Sequence, residues 1–188
     1  KNLDNKEENK KVLAEKFGLD YDKNIPIIGI ISKLSRVKGF EIIKAAFNEL
    51  MKMDIQVVLL GTGEMEFQSF FEEALMEHRD KFSCYLGFDD KLAHLIEAGA
   101  DMLLMPSKFE PCGLNQMYSL VYGTVPIVRE TGGLADTVSN YTDSEKGNGF
   151  VFKEFSSKEM LKQVNKAVEI YQESNGAWRS LVENGMNS

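Results

Sequence analysis

The chain is poor in the residues on which several kinds of chemistry depend. Among its 188 residues there are two cysteines, Cys84 and Cys112, and two histidines, His78 and His94. Two thiols cannot build a disulfide framework, and with neither a CxxC nor an HExxH spacing present the sequence speaks against a structural zinc site. No apolar run approaches the length that spans a bilayer. The first residues, KNLDNKEENKK, are polar throughout and carry no secretory pattern. These features predict a soluble protein of a reducing compartment, by default the cytoplasm. Arginine is also scarce: Arg36, Arg79, Arg129 and Arg179 are the only four, so lysine must do most of any work on phosphate. Positive charge is in deficit overall, 22 basic against 29 acidic residues for a net charge of −7. Such a chain is a poor non-specific binder of nucleic acid, whose phosphates need Lys and Arg. An anionic small molecule would have to be met by a local cluster of cations and amides.

What is present is ordinary globular material. Hydrophobic residues make up 43% and charged residues 27%, which argues against disorder and allows one domain with a sizeable core. Apolar spacing predicts helices over residues 5–17, 38–52, 65–79, 90–99 and 113–123, with a helical tail from 156 to 185 punctuated at 174–176. Between them lie short continuous apolar runs, 25–32, 55–61, 82–88, 101–107, 125–130 and 149–152, which read as buried strands. Strands apolar on both faces, alternating with helices, predict an α/β fold: a doubly wound, mostly parallel six-stranded Rossmann-like sheet with helices on both faces. The polar loop 140–148 is predicted to be mobile. In such a sheet the ligand sits outside the carboxyl ends of the strands. The loops that matter are therefore 32–39, 61–64, 87–90, 106–113 and 129–133.

The first of these, SKLSRVKG, places Lys33, Arg36 and Lys38 in one turn that opens a helix. Helix N-terminal amides add donors for an anion. The GTGE turn, with Gly61 and Thr62, allows close backbone approach, but a lone GxG is more often only a turn. The loop after the fourth strand holds Ser107, Lys108, Glu110, Pro111, Cys112 and Gly113. Gly113 lets the backbone approach a ligand, the amides of Gly113 and Leu114 begin a helix suited to a diphosphate, and Glu110 can accept from sugar hydroxyls. Thr131, Gly132 and Gly133 of the fifth loop offer a second set of amides. Other residues read more plainly. Cys84, Met102, Met105 and Met117 are expected in the core, and Cys112 as a small hydrophobe rather than a nucleophile. His94 reads as a satisfied surface or core histidine, Glu72 and Glu73 as a solvated helix face, and Trp178 as a packing anchor.

The run FEPCGLNQMYSL, followed by YGT and TGGLADTV, resembles the most distinctive stretch of bacterial glycogen synthases and plant starch synthases, a family of GT-B glycosyltransferases. SKLSRVKG resembles the family's SRLxxQKG loop, and LLGTGE and LGFDDKLAHLIEAGADMLLMPS fall in family order. The likeness runs over nearly the whole chain. It implies that residues 1–188 are the nucleotide-sugar-binding domain of a two-domain enzyme. Residues 174–188 would begin the segment that returns to an N-terminal domain, which supplies the α-glucan acceptor site and a catalytic histidine. The implied reaction is retaining transfer of glucose from ADP-glucose, or UDP-glucose, to the non-reducing end of an α-1,4-glucan. No metal and no cofactor are implied, and the address is cytoplasmic, or plastidic in a plant.

Carried over residue by residue, the resemblance gives Lys38 to the phosphates and Glu110 to the transferred glucose. Lys33 stands where the family has Arg. Cys112, Gly113 and Leu114 form the loop under the sugar and diphosphate, and Phe88 stands where many members stack a Tyr on adenine. At one position where the wider fold often has a ribose-reading Glu, this chain has Tyr118 instead, as the glycogen and starch synthase branch does. Val37, Lys108 and Val121 replace more polar or more basic family residues. An alternative is therefore a nucleotide-sugar-binding regulatory or scaffolding module without turnover.

Overall fold

The computed structural model describes residues 4–141 and 146–188. Residues 142–145, the centre of the loop predicted to be mobile, lie outside the described residues. Six strands form one sheet: β1 (Ile27–Ile31), β2 (Gln56–Gly61), β3 (Phe82–Leu86), β4 (Met102–Met105), β5 (Val125–Arg129) and β6 (Phe150–Phe152). Their order is β3-β2-β1-β4-β5-β6, and every neighbouring pair is parallel. The helices are α1 (Asp4–Phe17), α2 (Phe40–Lys52), α3 (Met65–Glu77), α4 (Asp90–Gly99), α5 (Asn115–Tyr122), α6 (Gly132–Thr137), α7 (Ser157–Glu173) and α8 (Asn175–Asn187). The doubly wound Rossmann-like architecture expected from the sequence is the one observed. No helix among the described residues is long and apolar enough to cross a membrane.

The period of two along each strand explains why both faces need cover. Ile28, Ile30, Val57 and Leu59 enter one core layer with Phe40, Phe47, Phe67 and Phe71 from α2 and α3. Their neighbours Ile27, Val58 and Leu60 enter the opposite layer with Leu13 from α1 and Leu92 and Ile96 from α4. In the first layer Phe47 meets Phe82 edge-on, ring centroids 5.1 Å apart, and Phe70 and Phe71 do the same, a geometry the aromatic quadrupole favours.

Element ends differ from the sequence reading where backbone chemistry intervenes. Gly113 (φ 70°) and Leu114 precede α5 instead of forming its first turn. The tail divides at Ser174, whose hydroxyl accepts from the Ala177 amide and so caps a separate helix, α8. α8 packs against the first core layer, where its Leu181 is fully buried.

At the amino edge of the sheet a buried polar network ties α1 to the strands. The Lys10 ammonium lies 2.9 Å from Asp101 Oδ2 and donates to Ile25 O at 2.8 Å and to the Tyr171 hydroxyl at 2.9 Å. The same Asp101 oxygen accepts from the Ile27 amide at the start of β1. Removing one member of a buried ion pair leaves the other charge desolvated and uncompensated. Asp101→Ala is expected to lower stability by about 3–5 kcal/mol in urea unfolding. Glu49→Ala, which removes the exposed partner of Lys52, should cost less than about 1 kcal/mol.

Candidate active site

The carboxyl ends of β1, β2 and β4 carry loops that are laced together by backbone hydrogen bonds. After β1, the Leu34 amide donates to Thr62 O and Leu34 O accepts from the Glu64 amide, joining the first loop to the turn after β2. A short 3-10 turn, Arg36–Lys38, then leads through Gly39 into α2. Gly39 sits at φ 84°, and a Cβ there would lie 2.1 Å from Pro106 O. The loop after β4 is therefore pressed against the loop after β1, and the Lys108 amide donates to Val37 O at 2.8 Å. These bonds set two loops far apart in sequence at a fixed spacing.

Between the loops lies a cavity of about 220 Å³, lined among others by Ser32, Lys33, Lys38, Ser107, Glu110, Gly113, Leu114 and Asn115. Lys38 and Glu110 meet across it, Nζ to Oε2 at 2.5 Å. The Ser107 hydroxyl donates to the same carboxylate oxygen at 3.3 Å. The Glu110 side chain is only 9% exposed, that of Lys38 29%. Beside this cavity is a larger one of about 520 Å³, walled by Leu60, Gly61, Thr62, Gly63, Gly87, Phe88, Asp89, Asp90 and Ala93. The two share Ile31, Ser32, Lys33 and Asn115, so together they make one trough. Phe88 stands at its rim, 83% exposed. The trough combines two ammonium groups, one nearly buried carboxylate and a mainly apolar slot with an aromatic edge, whose walls also include Thr62, Asp89 and Asp90. It suits a ligand that is anionic in the middle, hydroxylated at one end and flat at the other.

The family model for Glycosyl transferases group 1 matches residues 11–181. The chain belongs to this family. A glycogen synthase of Thermosipho africanus (strain TCF52B) is 46% identical over 187 residues, 99% of this chain and 39% of the relative. A glycogen synthase of Anoxybacillus flavithermus (strain DSM 21510 / WK1) is 44% identical over 180 residues, 95% of this chain and 37% of the relative. The structure of the catalytic domain of Starch Synthase IV from Arabidopsis thaliana bound to ADP and acarbose is similar with a TM-score of 0.92 and 34% identity, covering all of this chain and 40% of that one. The chain thus spans about two fifths of the length of the curated relatives it matches.

Within this glycosyltransferase domain the residues singled out from sequence do not all converge. Lys33, Lys38, Gly61, Thr62, Phe88, Glu110, Gly113 and Leu114 line the trough. Cys112 does not; it is exposed rather than a buried small hydrophobe, because the turn after Pro111 leaves the core before α5 begins. Thr131, Gly132 and Gly133 stand behind the 110–112 segment. The Gly133 amide donates to Glu110 O, and its amide is thereby taken. Tyr118 lies on α5 outside both cavities, edge-on to His94 with ring centroids 6.2 Å apart. His94 in turn pairs with the buried Glu97 at 2.9 Å. Burial pushes the Glu97 carboxyl above its ordinary pKa range, while His94 pulls it the other way. Arg36 is drawn off to Glu41 and Glu66, so two cations, not three, face the ligand space from its turn. Lys108 lies over the Phe155 ring.

Ser32, Ser107 and Asn115 were not singled out from the sequence as ligand-facing groups. Asn115 donates to Ile31 O at 3.1 Å and so pins the start of α5 to the end of β1. Its only sequence signal is a polar side chain at the first turn of a helix, which is too common to discriminate.

The glycine behind the loop offers a direct test of this geometry. A Cβ on Gly133 would lie 1.8 Å from Cys112 O. Gly133→Ala is expected to displace residues 110–112 and to cost on the order of 1–3 kcal/mol, read as a lowered melting temperature. Gly176→Ala, where nothing lies within 4 Å of the added carbon, should be neutral or raise stability by about 0.4–1 kcal/mol.

Proposed function

We propose that the chain is the donor-binding half of a retaining glucosyltransferase that moves glucose from ADP-glucose to the non-reducing end of an α-1,4-glucan, in glycogen or starch synthesis. The observation that carries the reading is the meeting of Lys38 and Glu110 in a trough whose other end is apolar and flanked by Phe88. In this reading Lys33 and Lys38 neutralise the diphosphate, with the backbone of Gly113 and Leu114 beneath it. Glu110 accepts from hydroxyls of the transferred glucose. The turn at Gly61 and Thr62 and the ring of Phe88 take the nucleoside, since stacking needs a π face and no hydroxyl. Cys112, Tyr118 and residues 131–133 support the site from outside. Charge stabilisation of the leaving diphosphate falls to side-chain cations and amides, which can act without a metal. The ADP in the related starch synthase structure supports adenine over uracil.

Transfer also needs an acceptor held against the donor in a water-excluded cleft. The reading assigns the glucan to the part of the protein beyond this chain, with residues 174–188 leading back toward it. The same reading has the protein work in the cytoplasm, or in the plastid of a plant, without a membrane or nucleic-acid partner.

Calorimetric titration of the chain tests the donor site. ADP should bind in excess chelator and more tightly than UDP. Lys38→Ala should weaken ADP by about 1.5–3 kcal/mol, roughly tenfold to a hundredfold, and adenosine far less. Phe88→Ala should weaken both ligands. A Lys38→Ala loss that is equal for ADP and adenosine would remove the phosphate assignment.

Transfer of labelled glucose from ADP-glucose to glycogen tests the division of labour. The chain alone should incorporate none above background, while a longer protein that includes the acceptor domain should be active. Comparable turnover by both would refute the two-domain reading.

A further inference from the structure

The ion pair in the trough has a property that neither of its members has alone. Among the described residues lining the smaller cavity, Glu110 is the one acid, set against the ammonium groups of Lys33 and Lys38. Its carboxylate is nearly buried, held by Lys38 at 2.5 Å and by the Ser107 hydroxyl at 3.3 Å. An anion that binds the Lys38 ammonium in this space competes with Glu110 for it. That exchange leaves a desolvated carboxylate short of its charged partner, which is costly unless other donors replace it.

We propose that the Lys38–Glu110 pair is an exchange latch that discriminates a sugar nucleotide from the free nucleoside diphosphate. The proposal rests on the donor-site reading above. A sugar diphosphate takes Lys38 with its phosphates and returns hydroxyl donors to Glu110, so both halves of the broken pair find new partners. A nucleoside diphosphate takes Lys38 and returns nothing. It also sets a terminal phosphate, more highly charged than the esterified one, beside the stranded carboxylate. Glu110 thereby acts as a specificity-determining residue, penalising the spent nucleotide relative to the donor. Once the sugar has left, re-forming the ion pair favours release of the diphosphate. The same charge that positions a hydroxyl in one state repels a product in the next, a use of unfavourable contacts that selective sites share.

The test is titration calorimetry of the chain with ADP, inorganic pyrophosphate and ADP-glucose, using the wild type, Glu110→Gln and Glu110→Ala, each checked for folding by thermal melting. Both variants should bind ADP and pyrophosphate more tightly, by about fivefold to twentyfold, because Lys38 is no longer held and no carboxylate repels the phosphate. Neither should gain comparably for ADP-glucose, and Glu110→Ala, which cannot accept from the sugar, should lose. A measurement on the unaltered chain stands beside these. Free glucose at high concentration should tighten ADP binding several-fold, because it supplies the missing hydroxyls, and ADP must tighten glucose by the same factor. If ADP binds the wild type and the variants show no gain for ADP or pyrophosphate, the latch is overturned while the donor site stands. Absence of coupling between glucose and ADP in the wild type overturns it equally. If the folded wild type binds none of the three ligands, the donor-site reading itself fails and the latch falls with it.

Discussion

The candidate site depends on one topological constraint: β1 and β4 lie side by side, yet the chain leaves them toward opposite faces of the sheet. From β1 it passes to α2, which packs in the core layer containing Phe47 and Phe71. From β4 it passes to α5, which packs against α4 on the other face. Two parallel strands whose crossovers diverge must leave a crevice above their carboxyl ends. The loops at that crevice would be free to move were they not joined. The bond from the Lys108 amide to Val37 O, the Asn115 bond to Ile31 O and the contact of Gly39 with Pro106 close the frame. Membership in the glycosyl transferases group 1 family fits this frame, since the fold supplies a crevice and the loops supply its chemistry.

Two ion pairs, each with a nearly buried carboxylate, mark the two edges of the sheet, and their surroundings set them apart. At the amino edge the Lys10 ammonium is engaged by Asp101, Ile25 O and the Tyr171 hydroxyl, and the Tyr171 hydroxyl in turn donates a hydrogen bond to Lys23 O. Such a network holds α1, β1, β4 and α7 in one arrangement. At the carboxyl edge Lys38 is partly exposed and faces a cavity. An ammonium on a flexible stem can change partners there at modest cost. The first pair is a fastening and the second is placed where a ligand can compete for it. The net charge of −7 does not predict this, because a site responds to the charges within a few ångströms and the remainder is screened by solvent and salt.

Much of the architecture was legible in the chain itself. Continuous apolar runs too short for helices fixed the six strands, and their alternation with amphipathic helices made the sheet parallel and two-sided, since strands apolar on both faces are stable only when both are covered. The same pattern locates the carboxyl-edge loops, and with them Lys33, Lys38, Glu110 and Gly113 as groups that can face a ligand. Local pattern suffices for such features because they depend on residues within a turn or two of one another.

Only the tertiary structure decided which of those residues meet. Lys38 and Glu110 are separated by 72 positions, and nothing in either loop states that their side chains touch. Arg36 is as basic as Lys38, yet two acids on α2 and α3 take it away from the crevice. Cys112 looks apolar in the chain but stands in solvent. Gly132 and Gly133 read as ligand-facing amides, and yet their missing side chains serve to let Glu110 O and Cys112 O come close. Each of these outcomes turns on distances between segments remote in sequence. Periodicity reports which face of an element is buried, whereas contact between loops follows from how the packed elements set their ends in space.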